Sequence, residues 1–166
     1  MPPRKGVASI LSLSTGGWHA SYWSHSPMSV RVLIVDDQAP FRHAARAVVE
    51  ATDGFEVVGE SDSGEASVDA AARLEPDLVL MDVNLPGING LEATRRILRE
   101  SKAVVVLLLS TYEEDEYGSK VAESGAAAYI PKSRFDPDRL AEAWAAASSN
   151  GIDPTTRVPA PGELSS

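Results

Sequence analysis

From residue 30 onward, short apolar runs alternate with longer segments in which apolar residues recur at helical spacing. The short runs are rich in Val, Leu and Ile, which is typical of parallel strands buried on both faces of a sheet. The predicted strands cover residues 30–35, 55–59, 78–81, 104–109 and 127–130. Because Pro131 cannot donate a backbone hydrogen bond to a neighbouring strand, the fifth strand is predicted at the edge of the sheet.

The segments between these strands are predicted to be helices. Their apolar residues lie three and four positions apart, which places them on one face of a helix. The predicted helices cover residues 39–51, 64–74, 91–98, 115–124 and 136–149. Pro86 and Gly87 mark a turn before the third helix.

Five strands alternating with five helices predict an α/β fold, in which helices cover both faces of a parallel sheet. Right-handed crossovers favour the doubly wound, flavodoxin-like strand order 2-1-3-4-5. Ligands of such sheets bind beyond the carboxyl ends of the strands, between the first and the third. Asp36 and Asp37 follow the first strand and Asp82 follows the third. The pattern therefore predicts three carboxylates in one crevice.

Three neighbouring carboxylates repel one another, and a bound divalent cation relieves that repulsion. Oxygen ligands favour Mg²⁺ or Mn²⁺. An aspartate can accept a phosphoryl group as an acyl phosphate, and the transfer depends on positioning and on charge neutralisation. Ser110 closes the fourth strand and Lys132 follows the fifth, so we predict that a hydroxyl and a positive charge face the same crevice.

Composition excludes several other classes of protein. Hydrophobic residues make up 43% and charged residues 23% of the 166-residue chain, a profile typical of soluble globular proteins. The chain has no cysteine, which excludes disulfides and thiolate metal sites and is consistent with the reducing cytoplasm. No apolar run is long enough to span a membrane.

The distribution of charge argues against nucleic-acid binding. The net charge is −9, and residues 1–27 contain Arg4 and Lys5 but no acid, so the rest of the chain has 13 bases against 24 acids, or −11. Nucleic-acid-binding domains instead carry a basic surface. This chain is therefore not expected to grip DNA by itself.

Sequence character changes sharply at both ends. Residues 1–28 are rich in Ser, Gly and Pro and show no periodicity, so we predict a disordered extension, with Met28 as a hypothetical natural start. One domain is predicted over residues 29–150. Residues 151–166 are predicted to form a flexible tail.

Four segments carry a resemblance to a known family. They are Val32–Asp37, the stretch Leu80-Met81-Asp82-Val83-Asn84-Leu85-Pro86-Gly87, the pair Ser110-Thr111, and Ala128-Tyr129-Ile130-Pro131-Lys132. Together they resemble the receiver domain of bacterial two-component response regulators, and the likeness covers residues 29–150. The spacings are 45 residues from Asp37 to Asp82, 28 to Ser110 and 22 to Lys132. They are similar to those of the subfamily that usually carries a C-terminal LuxR-type helix-turn-helix.

The resemblance implies a role for each site residue. Asp82 would accept a phosphoryl group from a histidine kinase and catalyse its own phosphorylation and dephosphorylation, although the protein is not a conventional enzyme. The metal ligands would be Asp36, Asp37, Asp82 and the backbone carbonyl of Asn84. Ser110 and Lys132 would contact the phosphoryl oxygens, and Tyr129 would be the aromatic switch partner of Ser110. Asn84 and Tyr112 would tune the lifetime of the phosphate.

Three other functions compete with this interpretation. An aspartate-nucleophile phosphatase would need a second Asp two residues after Asp82, where the chain has Asn84. A flavodoxin would need a phosphate loop after the first strand, where Asp36 and Asp37 would repel a phosphate. A protein-binding receiver that is not phosphorylated would be expected to lack one of the acids or the lysine, and all are present.

The output of the chain is a separate question. Only 16 residues follow Asn150, which are too few for a helix-turn-helix. The alternatives are a stand-alone regulator that signals to a protein target through its fourth and fifth helices, and a truncated LuxR-type transcription factor. A homodimer that forms on phosphorylation is a further hypothesis.

Overall fold

The computed structural model of the chain describes residues 29–111 and 118–149. These residues form a sheet of five parallel strands in the order β2-β1-β3-β4-β5. The strands are β1 (Val30–Val35), β2 (Phe55–Ser61), β3 (Leu78–Asp82), β4 (Val105–Ser110) and β5 (Ala128–Pro131). The doubly wound order predicted from the sequence is confirmed, and β5 with Pro131 lies at the sheet edge.

Five helices connect or follow the strands. They are α1 (Ala39–Glu50), α2 (Gly64–Leu74), α3 (Gly90–Glu100), α4 (Gly118–Ser124) and α5 (Pro137–Ser149). A short 3-10 helix, Lys132–Arg134, directly follows β5 and was not predicted from the sequence. Among the described helices, none has the length and apolar character needed to cross a membrane.

The core has two layers, one on each face of the sheet. Alternate residues of β1 show the division: Leu33 packs in a layer with residues of α2 and α3, whereas Val32 packs in a layer with residues of α1 and α5. Since β3 and β4 are buried along their whole length, their continuous apolar runs match the demand of two covered faces.

Strand β2 is longer than its predicted bounds. It continues two residues beyond the predicted end, through Glu60 and Ser61. The hydrophobic pattern stops at Gly59, but Glu60 is paired with Arg42 at 3.1 Å and with Arg46 at 2.7 Å, so a polar residue is accommodated in the strand. The backbone pairing of β2 with β1 therefore continues beyond the end of the apolar run.

Strand β1 and helix α2 have their predicted bounds, and the other elements whose predicted residues are all described differ by one or two residues at an end. Helix α3 begins at Gly90, because the Asn89 side chain accepts a hydrogen bond from the Glu92 backbone N–H at 2.9 Å and caps it. The first residues predicted for α4 lie outside the described residues. The predicted N-terminal extension and C-terminal tail also lie there, and both stay predictions.

Candidate functional site

Two neighbouring strands bring three carboxyl groups together. Strands β1 and β3 are paired, and the carboxyl ends of parallel neighbours meet at one edge of the sheet. Asp36, Asp37 and Asp82 each offer one carboxylate oxygen, and these oxygens lie within 4.8 Å of one another. Asp36 and Asp82 are only 1% and 4% exposed, whereas Asp37 is exposed. The cluster therefore opens to solvent on the Asp37 side.

Local hydrogen bonds orient the two buried carboxylates. The backbone N–H of Gln38 donates to Oδ1 of Asp36 at 2.8 Å, and the backbone N–H of Asn84 donates to Oδ1 of Asp82 at 3.1 Å. The guanidinium of Arg42 donates to the backbone carbonyl of Asp36 at 2.7 Å. In both carboxylates the Oδ2 atom is left facing the crevice, where Lys132 lies.

Lys132 enters the crevice from the far edge of the sheet. Its Nζ lies 2.6 Å from Oδ2 of Asp36 and 3.6 Å from Oδ2 of Asp82. The lysine side chain is 14% exposed, so the ion pairs are partly shielded from water. One positive charge offsets three negative charges, which leaves the cluster with a net negative charge.

The environment of Asp82 makes its carboxyl group a weaker acid than usual. The pKa of the Asp82 carboxyl is raised from 3.8 to about 6, chiefly by burial, then by repulsion from Asp36 and, more weakly, from Asp37. Lys132 and the hydrogen bond from the Asn84 backbone act in the opposite direction. The carboxylate that is predicted to react is therefore held in an environment that resists its negative charge.

Ser110 and Asn84 border the same crevice. Ser110 ends β4 and is fully buried, at 0% exposure. The Asn84 side-chain amide donates to the Ser110 Oγ at 3.5 Å, a long hydrogen bond between the loop after β3 and the end of β4. The structure thus brings Asn84 and Ser110 to the carboxylate cluster, as well as Lys132.

A family model described as the response regulator receiver domain matches residues 32–145. The chain belongs to the receiver domain family. The matched region contains all the carboxylates of the cluster, together with Ser110 and Lys132.

Proteins similar to this receiver include full-length regulators. The chain is 45% identical to the response regulator GacA of Pseudomonas viridiflava over 103 residues, which are 62% of this chain and 48% of that protein. The chain spans about half the length of the curated relatives it matches.

Solved receiver structures have the same fold. A two-component response regulator of the LuxR family from Aurantimonas sp. SI85-9A1 matches with a TM-score of 0.67 and 31% identity, covering 74% of this chain and 86% of that one. The receiver domain of the putative response regulator NarL from Mycobacterium tuberculosis also gives a TM-score of 0.67, with 27% identity, and covers 74% of this chain and 98% of that one.

Of the remaining predicted residues of the receiver site, one lies in the core and one lies outside the described part. Tyr129 is 4% exposed and packs in the core layer with α2 and α3. Tyr112 lies outside the described residues.

Phe41 belongs to the site but was missed by the sequence analysis. Its ring centroid lies 4.4 Å from Nζ of Lys132. The helical spacing of apolar residues in α1 placed Phe41 in a core-facing stripe, and nothing in that pattern indicated that its ring would meet a lysine from the other end of the domain.

Glu65 was also missed, and it holds the loop between β3 and α3. Its Oε2 accepts a hydrogen bond from the backbone N–H of Ile88 at 3.1 Å. Gly87 has a φ of +73°, and a Cβ there would lie 2.6 Å from the same carboxylate oxygen. The positive φ therefore favours glycine at position 87, and the Glu65 carboxylate would have to shift to admit a side chain there.

Proposed function

We propose that this chain accepts a phosphoryl group on Asp82 from a histidine kinase, as the receiver of a two-component phosphorelay. The observation that carries the proposal is the meeting of three carboxylates and Lys132 at the switch point of the sheet. In a member of the receiver family, Asp82 would supply the oxygen that accepts the phosphoryl group, and Lys132 would supply positive charge that neutralises the phosphoryl oxygens.

The donor set fits a divalent metal ion. Three carboxylate oxygens within 4.8 Å of one another, with net negative charge after pairing to Lys132, match the oxygen-rich sites that Mg²⁺ or Mn²⁺ prefers. Asp36, Asp37 and Asp82, with the backbone carbonyl of Asn84, would hold the ion. When bound, it supplies positive charge that neutralises phosphoryl oxygens.

The residues of the chain have distinct parts in the transfer. An Asp82 carboxylate oxygen forms a bond to phosphorus while the phosphorus–nitrogen bond of the phosphohistidine breaks, and the leaving imidazole takes up a proton. The product is an acyl phosphate on Asp82. A pKa of about 6 leaves roughly nine-tenths of Asp82 ionised at pH 7 and able to attack.

Lys132 and Ser110 would respond to the added phosphoryl group. The Lys132 ammonium, already between Asp36 and Asp82, would pair with a phosphoryl oxygen, and the Ser110 hydroxyl would donate to another. Movement of Ser110 toward the phosphate would leave space that Tyr129 fills, which would change the surface offered to a partner. Asn84 and Tyr112 would set the lifetime of the acyl phosphate.

Intact-mass measurement after incubation with phosphoramidate and Mg²⁺ tests the proposal. The unaltered protein should gain one phosphoryl group, and Asp82→Asn should gain none or very little. Lys132→Ala should be phosphorylated more slowly, and its phosphorylation should not change the surface that is offered to a partner. Asp53→Asn is a matched control, because Asp53 is exposed and lies at the other end of the sheet.

Failure of the unaltered protein to gain mass in this experiment would overturn the proposal. It would favour the alternative of a receiver that binds partners without phosphorylation. Steady release of inorganic phosphate from a generic phosphomonoester would instead favour the phosphatase alternative.

A second candidate concerns the whole protein. The similar structure from Aurantimonas is a LuxR-family regulator, and the chain spans about half the length of its curated relatives. We propose that this receiver controls either a partner protein or a DNA-binding domain of the LuxR type. The acidic balance of the chain argues that any contact with DNA is made by other residues than these.

A further inference from the structure

The Lys132 ammonium contacts three groups of two kinds. Two are the carboxylates of Asp36 and Asp82, and the third is the ring of Phe41, with 4.4 Å between Nζ and the ring centroid. Both carboxylates belong to the cluster that would hold the metal ion. The aromatic ring is the contact that does not compete with that ion or with a phosphoryl group for the lysine.

The ring of Phe41 is fixed from both sides of the crevice. Phe41 lies in the first turn of α1, close behind the carboxylates at the end of β1. Its ring also packs against Phe135, with 6.5 Å between centroids and 43° between planes. Phe135 follows the 3-10 helix that begins at Lys132 and is 9% exposed, so the ring spans two segments that are distant in sequence.

We propose that Phe41 is a positioning residue for phosphoryl transfer, which holds the Lys132 ammonium over its ring face and so keeps it directed at the Asp82 carboxylate. This inference rests on the proposed function. A lysine side chain has four rotatable bonds, and its partial shielding at 14% exposure strengthens a cation–π contact relative to one in open water.

The contact predicts a selective kinetic effect. As the bond from Asp82 to phosphorus forms and the bond from phosphorus to the donor nitrogen breaks, Lys132 must pair with oxygens of the transferring group. A lysine that is less well held would slow this step. The Phe41 side chain has no atom that could coordinate the metal ion, so its replacement should leave the Mg²⁺ affinity unchanged.

The test compares substitutions that remove or keep the ring. Phe41→Leu keeps an apolar side chain without a ring face, and Phe41→Tyr keeps the ring. With saturating Mg²⁺, the maximal rate of Asp82 phosphorylation by phosphoramidate should fall about threefold to tenfold in Phe41→Leu and recover in Phe41→Tyr. The Mg²⁺ dissociation constant should be the same in all three proteins.

A double-mutant cycle separates positioning from general structural support. In a Lys132→Gln background the ring has no ammonium to hold, so Phe41→Leu should cause no further loss of rate. An equal fractional loss in both backgrounds would overturn the proposal. So would a Phe41→Tyr variant that is as slow as Phe41→Leu.

A near-isosteric replacement covers the case in which Phe41→Leu fails to fold. Trifluorophenylalanine at position 41 keeps the ring shape but withdraws electron density from its face, so phosphorylation should again be slower than with phenylalanine. An unchanged rate would overturn the positioning role. If the unaltered protein is not phosphorylated at all, the proposed function itself fails, and that outcome is distinct from the ring-specific ones.

Discussion

The position of Asp82 lowers the stability of the folded, metal-free protein. Its pKa in the folded protein is about 6, against an ordinary value of 3.8. Between these values the folded state binds more protons than the unfolded state, so the stability of the metal-free protein falls as pH rises through this interval. Well above pH 6, Asp82 is ionised in both the folded and the unfolded states, and the loss of stability is then complete. Burial next to Asp36 and Asp37 therefore makes the reactive residue a source of instability.

Asp82→Asn should consequently stabilise the metal-free protein. The amide carries no charge, so at pH 8 the free energy of unfolding should rise by on the order of 2 kcal/mol, and by less at pH 4.5. Urea denaturation in the presence of a chelator measures the difference. Added Mg²⁺ should reduce the difference in free energy of unfolding between the two proteins at pH 8, because the ion stabilises the unaltered carboxylate cluster. A gain that does not depend on pH would contradict an electrostatic origin of the stabilisation.

Individual site residues differ in how far the sequence reveals them. Asp37, Asp82 and Lys132 could be placed from the sequence, since each lies within two residues of the end of an apolar run and parallel strand ends share one edge of the sheet. Phe41 and Glu65 could not. Their importance depends on which way a helix presents its first turn to the neighbouring loops, and residue spacing along one helix does not determine that.

At the scale of elements, the start of α3 is tied to the end of β3. The backbone N–H of Gly90 donates to the carbonyl of Val83 at 2.9 Å, and a Cβ at Gly90 would overlap the backbone carbonyl oxygen of Asp82. The loop that contains Asn84 is therefore closed tightly on itself. The absence of a side chain at position 90 lets the helix begin this close to the reactive residue.

Gly90→Ala should destabilise the protein by about 1–3 kcal/mol, because backbone atoms must move to admit the methyl group. Gly118→Ala is the matched control: it lies at the start of α4, where a Cβ would meet nothing within 4 Å. Thermal or urea unfolding of both variants measures the contrast. Equal stability of the two would show that the loop yields at little cost.

At the boundaries of some elements, the hydrophobic pattern and the backbone structure disagree. The existence, type and order of the elements could be predicted, because the apolar runs and the helical spacing are strong. The end of β2 could not, because Glu60 looks like a loop residue until its partners Arg42 and Arg46 are known. The 3-10 turn at Lys132 is short and has no periodicity to detect.

At the scale of the whole molecule, charge opposes self-association. Outside residues 1–27 the chain has 13 bases and 24 acids, so two copies repel one another at long range. A homodimer on phosphorylation, which the sequence analysis gives as one possible output, would have to overcome this repulsion. Salt screens such interactions over a Debye length of about 8 Å at physiological ionic strength.

Sedimentation with and without Mg²⁺ and beryllium fluoride, a phosphoryl mimic, tests dimer formation. We expect a monomer without the mimic and a dimer with it, and we expect the dimer to be strengthened by moderate salt. Asp82→Asn should remain a monomer under both conditions. A single monomeric species with and without the mimic would refute the dimer.

Four of the five strands must be in place before the crevice exists. Its groups follow or end β1, β3, β4 and β5, and Lys132 comes 95 positions after Asp37. A nascent chain still emerging from the ribosome, or a fragment cut before β5, lacks the Lys132 ammonium that lies beside Asp82. If Asp82 is phosphorylated as proposed, we expect such incomplete chains to be phosphorylated more slowly than the complete domain, because the full set of groups comes together only when synthesis and folding have reached the last strand.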